Sequence, residues 1–300
     1  MTAAPRSAGW RRRLASIGAL IALGGCSPVG LLNGLDRLTP GANDARRAGT
    51  DLAYGSLDRQ KLDVWVPSRR AAGERLPVVV FFYGGGWSSG SRSEYGFAGA
   101  AYAGQQFVAV VPDYRLVPQA RFPAFVEDGA AAVRWAQANA ARYGGDPRRI
   151  TVAGHSAGGY IAAMLALDPR WLPPGTVKAA ALLAAPLDFA PFTDPRSLGA
   201  FGQWPSPADT QPISFVSPRD PPIFLGHGGN DRTVFPRNSQ QLAARLGAAG
   251  VRHEFKLYGR ANHTDLALSL SRPFRGRTPV LSDSAAFLRS ATELPTSPAK

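Results

Sequence analysis

The chain has 300 residues, a length that suits one large α/β domain or two small ones. Its formal charge is +13, but beyond residue 13 the basic residues are scattered, without basic runs or interleaved aromatic residues, so no nucleic acid is expected as a partner. A hydrophobic fraction of 45% is ordinary for a globular core, and a single cysteine excludes an intramolecular disulfide.

The first 26 residues have the organisation of an export signal. A basic segment at 6–13 precedes the apolar run 14–23, which is too short to span a bilayer and is typical of a signal peptide. Leu23-Gly24-Gly25-Cys26 resembles the lipoprotein box of bacteria, which implies lipidation of Cys26 and stable membrane attachment through its acyl chains. We therefore expect a signal peptide over residues 1–25 and a place in the bacterial cell envelope, on the periplasmic or outer-membrane face. An ordinary cleaved signal and an uncleaved tether are the alternatives.

A tether is expected over residues 26–50, which are rich in glycine and polar residues and show no hydrophobic period. The folded domain is expected over residues 51–295, where predicted strands and helices alternate. Apolar or β-branched runs predict strands at 62–66, 77–83, 107–111, 150–153, 177–184, 222–225 and 253–258.

Helices are predicted between these strands. A period near 3.6 residues runs from 122 to 143 and ends at Gly144-Gly145. Further helices are predicted directly after residue 156, near 238–249 and over 283–291. This alternation predicts the α/β class, with one mostly parallel, doubly wound sheet.

The alternation is interrupted by residues 189–218. This segment contains six prolines and five aromatic residues and has neither a helical nor a strand period. Long ordered loops within a compact domain are usually functional, so we expect a small lid or pocket wall here. A surface excursion whose aromatic side chains merely pack on the sheet is the alternative.

A candidate nucleophile lies in Gly154-His155-Ser156-Ala157-Gly158, between a predicted strand and a predicted helix. This is the pattern of a nucleophile elbow, a sharp turn that exposes a serine oxygen above a sheet. The five-residue pattern is weak by itself, and its value depends on partners elsewhere in the chain. It makes Ser156 the candidate nucleophile.

A serine nucleophile needs a base, and the base needs an acid that holds its tautomer. Of the four histidines, His263 follows the last predicted strand, at the sheet edge where Ser156 emerges, and is the preferred base. His155 lies beside the serine rather than facing it. His227 is interpreted as a hydrogen-bonded loop residue and His253 as a solvent-facing one.

The acid is expected at the end of a strand between the serine and the base. Asp231 and Asp188 both meet this condition. Asp231 is preferred because Gly228-Gly229 allow the backbone to turn its carboxylate inward.

An oxyanion hole is expected at Gly84-Gly85-Gly86, directly after a predicted buried strand. Residues without side chains let backbone N–H groups approach a tetrahedral intermediate. The N–H groups of Gly85, Gly86 and Ala157 would form the hole; a plain flexible turn is the alternative.

In chain order these motifs resemble the hormone-sensitive-lipase-like and bacterial feruloyl-esterase-like (BD-FAE-like) carboxylesterases of the α/β-hydrolase fold. The resemblance rests on segments 82–87, 112–118, 122–124 and 144–159 and on the loops that hold Asp231 and His263. It implies a Ser156–Asp231–His263 triad, no cofactor or metal, and hydrolysis of short acyl esters of small molecules through an acyl-enzyme. Arylformamidase-type amidases and polysaccharide deacetylases with the same triad are the alternatives, and a non-enzymatic scaffold lipoprotein is a third.

Two positions depart from the family pattern. Tyr83 stands where the family commonly has histidine, and His155 stands where many relatives have an acidic residue. Neither change removes a catalytic group. The large N-terminal helical cap of many of these esterases is not expected, so the resemblance implies an open, shallow pocket bounded by Trp87 and Trp204.

Overall fold

An eight-stranded sheet lies at the centre of the part of the chain that the structure describes. The computed structural model describes residues 30–39 and 42–293. The strands are β1 (Ala45–Ala53), β2 (Lys61–Pro67), β3 (Leu76–Phe82), β4 (Val108–Pro112), β5 (Gly145–His155), β6 (Ala180–Leu183), β7 (Ile223–Gly228) and β8 (His253–Tyr258). Their order in the sheet is β1-β2-β4-β3-β5-β6-β7-β8. Strand β1 pairs antiparallel with β2, β2 pairs antiparallel with β4, and the other pairs are parallel.

Helices flank this sheet. They are α1 (Gly30–Leu38), α2 (Gly96–Gly104), α3 (Ala124–Asn139), α4 (Ala157–Leu167), α5 (Pro195–Phe201), α6 (Arg237–Ala248), α7 (His263–Leu268) and α8 (Val280–Thr292). Short 3-10 segments occur at Ala42–Asp44, Ala140–Tyr143, Pro207–Thr210, Pro212–Phe215 and Arg272–Phe274. The predicted mostly parallel, doubly wound sheet of the α/β class is confirmed.

The hydrophobic core includes β3, the strand that precedes the glycine-rich turn. All seven residues of β3 are buried, as expected for a strand that is covered on both faces. Helices α3 and α4 pack on β3 and β5 and on each other, whereas α8 packs on β6 and β7. A hydrogen bond of 3.0 Å between the Tyr102 and Ser284 hydroxyls joins α2 to α8. The carboxyl ends of the central strands are therefore held on a rigid support.

The tether expected over residues 26–50 is wrong for much of that range. In α1, the Asn33 side chain accepts a hydrogen bond of 2.8 Å from the Phe97 N–H, and Asp36 is buried in an ion pair with Arg272. Strand β1 pairs with β2 along one edge of the sheet. An edge strand with half-exposed side chains needs no apolar run, so the sequence pattern did not reveal it.

The segment 189–218 contains a helix that its sequence period does not predict. Helix α5 has seven residues, which is too short for a clear period, and Pro195 begins it. The Asp194 carboxylate caps the helix by accepting hydrogen bonds from the N–H groups of Arg196 and Ser197. The expectation of a segment without helical structure is therefore wrong at this point.

The expected membrane signal lies outside the described residues, because these begin at residue 30 and the signal peptide and Cys26 precede it. Among the helices that the structure does describe, none combines the length and the apolar character needed to cross a bilayer.

Candidate active site

Ser156 occupies a strained turn between β5 and α4. Its backbone dihedral angles are φ 54° and ψ −123°, a combination that a residue with a side chain rarely adopts. The two flanking glycines make this turn possible: a Cβ on Gly154 would lie 2.3 Å from the Gly158 carbonyl oxygen, and one on Gly158 would lie 2.1 Å from that of Phe82. The turn therefore has the geometry of a nucleophile elbow.

His263 connects the serine to a buried carboxylate. Its Nε2 lies 2.9 Å from the Ser156 Oγ, and its Nδ1 lies 2.8 Å from the Asp231 Oδ2. His263 is the first residue of α7, whose start is fixed by a capping box between Asn262 and Asp265. The cap sets the direction in which the chain enters the helix and so the position of the imidazole.

The Asp231 carboxylate is held in its ionised form. Burial raises the pKa of this carboxyl, but hydrogen bonds from His227 and His263 and from the backbone outweigh that effect and hold the pKa well below its ordinary value. Oδ1 accepts hydrogen bonds of 2.9 Å from the N–H groups of both Thr233 and Val234. An ionised carboxylate here keeps the His263 proton on Nδ1 and leaves Nε2 as the acceptor that faces the serine.

Among the other candidate residues, His227 contacts the acid itself, because its Nε2 lies 3.4 Å from the Asp231 Oδ2. His227 Nδ1 lies 2.7 Å from the Ser239 Oγ, and its Nε2–H donates to the Val234 carbonyl at 2.8 Å. His253 is half-buried in β8 and hydrogen-bonds the Val251 carbonyl. Among the described residues, the Asp188 carboxylate contacts no histidine.

The glycine-rich turn after β3 requires glycine. Gly85 and Gly86 have positive φ values of 138° and 58°, and Trp87 continues the turn at 59°. A Cβ on Gly85 would lie 2.1 Å from the Ser89 carbonyl oxygen. Gly86 and Ala157 line the same cavity as Ser156. Gly85 directly precedes Gly86 in the turn. The three expected donor residues thus come from two loops that meet beside the serine.

Tyr83 supports this turn from below. Its hydroxyl donates to the Asp113 Oδ1 at 2.9 Å and accepts from the Arg59 Nη2 at 2.8 Å. Its carbonyl accepts a hydrogen bond of 2.9 Å from the Tyr114 hydroxyl, and its ring stacks between those of Tyr95 and Tyr114. The tyrosine thus anchors the turn through a buried polar network in place of the family's usual histidine.

A cavity of about 420 Å³ opens in front of Ser156. Its wall is built by the turn at Trp87, by residues of the segment 189–218 and by the loop after Asp231. The expected pocket wall is therefore present, and Trp87 is part of it. Residues that the sequence did not single out also line it: Phe235, Arg196 and Arg237.

Trp204 does not line this cavity, so its expected place in the pocket is wrong. Its ring instead packs edge-on against Phe122, with 4.8 Å between ring centroids. The aromatic residues of the segment thus have different roles: Phe189 stacks on Trp87 at the cavity, Trp204 covers Phe122, and Phe201 packs between Trp87 and Phe122. Aromatic content alone did not separate these roles.

Within residues 30–39 and 42–293, no group of three or more His, Cys, Asp and Glu side chains is arranged to hold a metal ion.

Two known protein families match this chain. The BD-FAE family model matches residues 62–171, and that of the prolyl oligopeptidase family matches residues 124–293, more than half of the chain. The chain belongs to the prolyl oligopeptidase family. Both matches include Ser156, and the prolyl oligopeptidase match also includes Asp231 and His263. The resemblance to α/β-hydrolases of the BD-FAE type is therefore confirmed.

Individual relatives are esterases by name. Carboxylesterase NlhH of Mycobacterium tuberculosis is 48% identical over 103 residues, 34% of this chain and 31% of NlhH. Esterase LipC of the same organism is 32% identical over 222 residues, 65% of this chain and 54% of LipC. The chain therefore spans from about a third to just over half of the length of these curated relatives.

Among solved structures, apo Thermogutta terrifontis esterase 2 has a TM-score of 0.69 and 26% identity, over 86% of this chain and 98% of that one. A structure of the same esterase phosphorylated by paraoxon has a TM-score of 0.69 at 25% identity, over 85% of this chain and 96% of that one. The α/β-hydrolase fold therefore extends across nearly the whole of this structural relative.

Proposed function

We propose that this protein is a serine carboxylesterase that hydrolyses short acyl esters of small molecules. Ser156 is the nucleophile, His263 the general base, and Asp231 the acid that orients the base. The observation that carries this proposal is the continuous hydrogen-bond chain of 2.9 and 2.8 Å from the serine hydroxyl through both nitrogens of His263 to a buried carboxylate.

The first half-reaction transfers the acyl group to the enzyme. The Ser156 Oγ attacks the acyl carbonyl carbon while its proton passes to the His263 Nε2. The carbonyl π electrons move onto oxygen to form a tetrahedral oxyanion. When this intermediate collapses, the C–O bond to the alcohol breaks and His263 returns the proton to the leaving alkoxide. Asp231 stays ionised throughout and stabilises the imidazolium.

The second half-reaction repeats these steps with water. His263 removes a proton from water as its oxygen attacks the acyl-enzyme, and the proton then goes to the Ser156 Oγ as the acid leaves. In both halves the oxyanion is assigned to the N–H groups of Gly85, Gly86 and Ala157. Losing one such donor typically costs on the order of a hundredfold in rate.

The relatives support the reaction class. NlhH, LipC and Thermogutta terrifontis esterase 2 are named as esterases, and the last is also known in a form phosphorylated by paraoxon. Paraoxon is an organophosphate ester, so attack by a nucleophilic serine is the expected chemistry in this chain too.

The cavity supports a short acyl group. Its volume of about 420 Å³ lies at the lower end of small-molecule sites. Trp87, Phe189 and Val234 supply apolar surface for an acyl chain in its lining. Long acyl chains would extend past these walls into water and gain little from further apolar contact.

The ester assay tests this function. Purified protein is expected to hydrolyse p-nitrophenyl acetate or butyrate, and Ser156→Ala is expected to lose this activity to the buffer background while it keeps the wild-type thermal unfolding temperature. Hydrolysis by folded Ser156→Ala at more than a few per cent of the wild-type rate would contradict the mechanism.

We also propose that the enzyme is anchored in the cell envelope through lipidated Cys26. The support is the sequence pattern alone, a basic segment and a short apolar run before Leu23-Gly24-Gly25-Cys26. In a bacterial host the full chain is expected in the membrane fraction, and Cys26→Ser in the soluble fraction. Equal membrane association of both forms would contradict the anchor.

A further inference from the structure

His155 is buried between the elbow that holds Ser156 and the start of α7, with only 4% of its surface exposed. Its Nε2–H donates a hydrogen bond of 2.9 Å to the backbone carbonyl of His263, and the two imidazole centroids lie 4.8 Å apart. A carbonyl oxygen only accepts, so this bond places the His155 proton on Nε2. The hydrogen bond joins the residue before the nucleophile directly to the residue that supplies the base.

The opposite side of the ring faces the oxyanion turn. Within the described part of the chain, the buried Nδ1 of His155 has no hydrogen-bond partner. A Cβ on Gly84 would lie 2.9 Å from this Nδ1 and 3.3 Å from the Ser156 Cβ. A buried acceptor without a partner is unfavourable, so packing alone would favour an apolar side chain over an imidazole at this position. The hydrogen bond to His263 is the contact that an apolar side chain would not supply.

The ring is neutral under the conditions in which an ester would be hydrolysed. Burial, followed by the nearby charge of His263, lowers the pKa of His155 to about 3, against the smaller opposing effects of the hydrogen bond to the His263 backbone and of the Asp231 charge. His155 therefore does not compete with His263 for the serine proton. It also adds no second positive charge beside the imidazolium that forms during the reaction.

We infer that His155 is a positioning residue for His263: its Nε2–H holds the His263 backbone, and so the imidazole, at hydrogen-bond distance from Ser156. This inference rests on the proposed esterase function. Because His155 and Ser156 are consecutive, the bond ties the strand of the nucleophile to the helix of the base across 108 residues of chain. The ring does not line the substrate cavity, so its loss acts on the proton transfer rather than on substrate binding.

The test compares two nearly isosteric replacements, His155→Met and His155→Gln. Only glutamine offers an N–H donor at a reach similar to that of Nε2. Esterase kinetics are measured per active site, with active sites counted by the burst of p-nitrophenol that paraoxon releases. His155→Met is expected to lower kcat by about 10- to 100-fold with KM within about twofold, since misplacing a catalytic group by about 1 Å costs rates of this order. His155→Gln is expected to restore kcat to within about fivefold of wild type.

His253 provides the matched control. It is half-buried and, like His155, it hydrogen-bonds a backbone carbonyl, that of Val251 at 2.9 Å. It lies in β8, away from the serine. His253→Met is expected to keep both kcat and KM. If His155→Met does not fold, His155→Asn replaces it, because the shorter amide does not reach the His263 carbonyl.

Two results would overturn the inference: a kcat of His155→Met within twofold of wild type, or a kcat of His155→Gln as low as that of His155→Met. Either result leaves the esterase proposal intact, because wild-type activity and its loss in Ser156→Ala are measured in the same assay. A wild-type protein that hydrolyses no ester would instead contradict the proposed function itself.

Discussion

Replacing Asp231 by asparagine tests the tautomer on which the proposed mechanism depends. Oδ1 of Asp231 accepts hydrogen bonds from the N–H groups of Thr233 and Val234, and Oδ2 accepts from His263. The single oxygen of an asparagine would satisfy the two backbone donors, so its NH₂ group would face the His263 Nδ1. Nδ1 would then have to accept, which moves the imidazole proton to Nε2 and leaves no base for the Ser156 hydroxyl.

The expected loss is large because the base is absent rather than weakened. A wrong tautomer in an otherwise intact triad lowers kcat by about 10⁴-fold, or about 5 kcal/mol of transition-state stabilisation at about 1.4 kcal/mol per factor of ten. The assay is kcat on p-nitrophenyl butyrate, with the fold checked by circular dichroism and thermal unfolding. Asp188→Asn is the comparison, because Asp188 follows the neighbouring strand and is the other acid that the sequence allows.

Asp188→Asn is expected to lower kcat by less than about tenfold, because its carboxylate does not contact the base. Folded Asp231→Asn that kept more than about 1% of the wild-type kcat would contradict the assigned role of Asp231. A loss in Asp188→Asn as large as that in Asp231→Asn would also contradict it.

The remaining predictions concern the turn, the pH dependence of stability and the pocket. Tyr83→Phe removes one buried and one part-buried hydrogen bond below the oxyanion turn. It is expected to lower the free energy of unfolding by about 1–3 kcal/mol and to reduce kcat more than KM, which denaturant titration and kinetics would check. Because the pKa of His155 falls from 6.5 to about 3 on folding, the unfolded chain binds the extra proton, so the free energy of unfolding falls as pH drops through this window. The contribution is at most about 1.4 kcal/mol per pH unit, and urea titrations at pH 7 and 5 should show a shallower fall in His155→Gln; equal slopes would contradict the buried neutral ring. On p-nitrophenyl esters, kcat/KM is expected to fall at least about tenfold from butyrate to decanoate, whereas a preference for decanoate would contradict the short pocket. Rates on formanilide and acetylated xylan below those on simple esters would disfavour the amidase and deacetylase alternatives.

The ends of two strands were predictable, one buried on both faces and one at a half-exposed edge of the sheet. β3 and β8 match their predicted ranges to within one residue, because an apolar run or a sharp turn marks each end. β1 lies at the edge of the sheet, where half-exposed polar side chains are tolerated, and so it left no pattern. Helix α2 consists largely of glycine, alanine and aromatic residues and is almost wholly buried, so it has no polar face from which a period could be recognised.

The triad positions were predictable because parallel strands bring their carboxyl ends to one edge of the sheet. That rule, with the glycines around Ser156 and before Asp231, was sufficient to select three residues that the structure places within hydrogen-bond distance. The rule applies only to residues at the carboxyl ends of strands. It does not show which aromatic residues of segment 189–218 face the cavity, and for this reason the expectation for Trp204 was wrong.

The contact of His155 with the base was beyond sequence reasoning for a related reason. The bond joins a side chain to a backbone carbonyl 108 residues away, and a backbone acceptor has no residue type to recognise. The departure from the family's acidic residue was visible in the sequence. The structure explains it, because the elbow packs against α7 and His155 hydrogen-bonds the His263 carbonyl there.

Covalent labelling by paraoxon directly tests whether Ser156 is an activated nucleophile. The intact mass of the wild-type protein is measured after labelling, and the modified residue is located by peptide mapping, with Ser156→Ala and Asp231→Asn treated in parallel. We expect one diethylphosphoryl group per wild-type chain on Ser156, none on Ser156→Ala and greatly slowed labelling of Asp231→Asn. Labelling of another residue, or of Ser156→Ala at the wild-type rate, would contradict the assignment of Ser156 as the nucleophile.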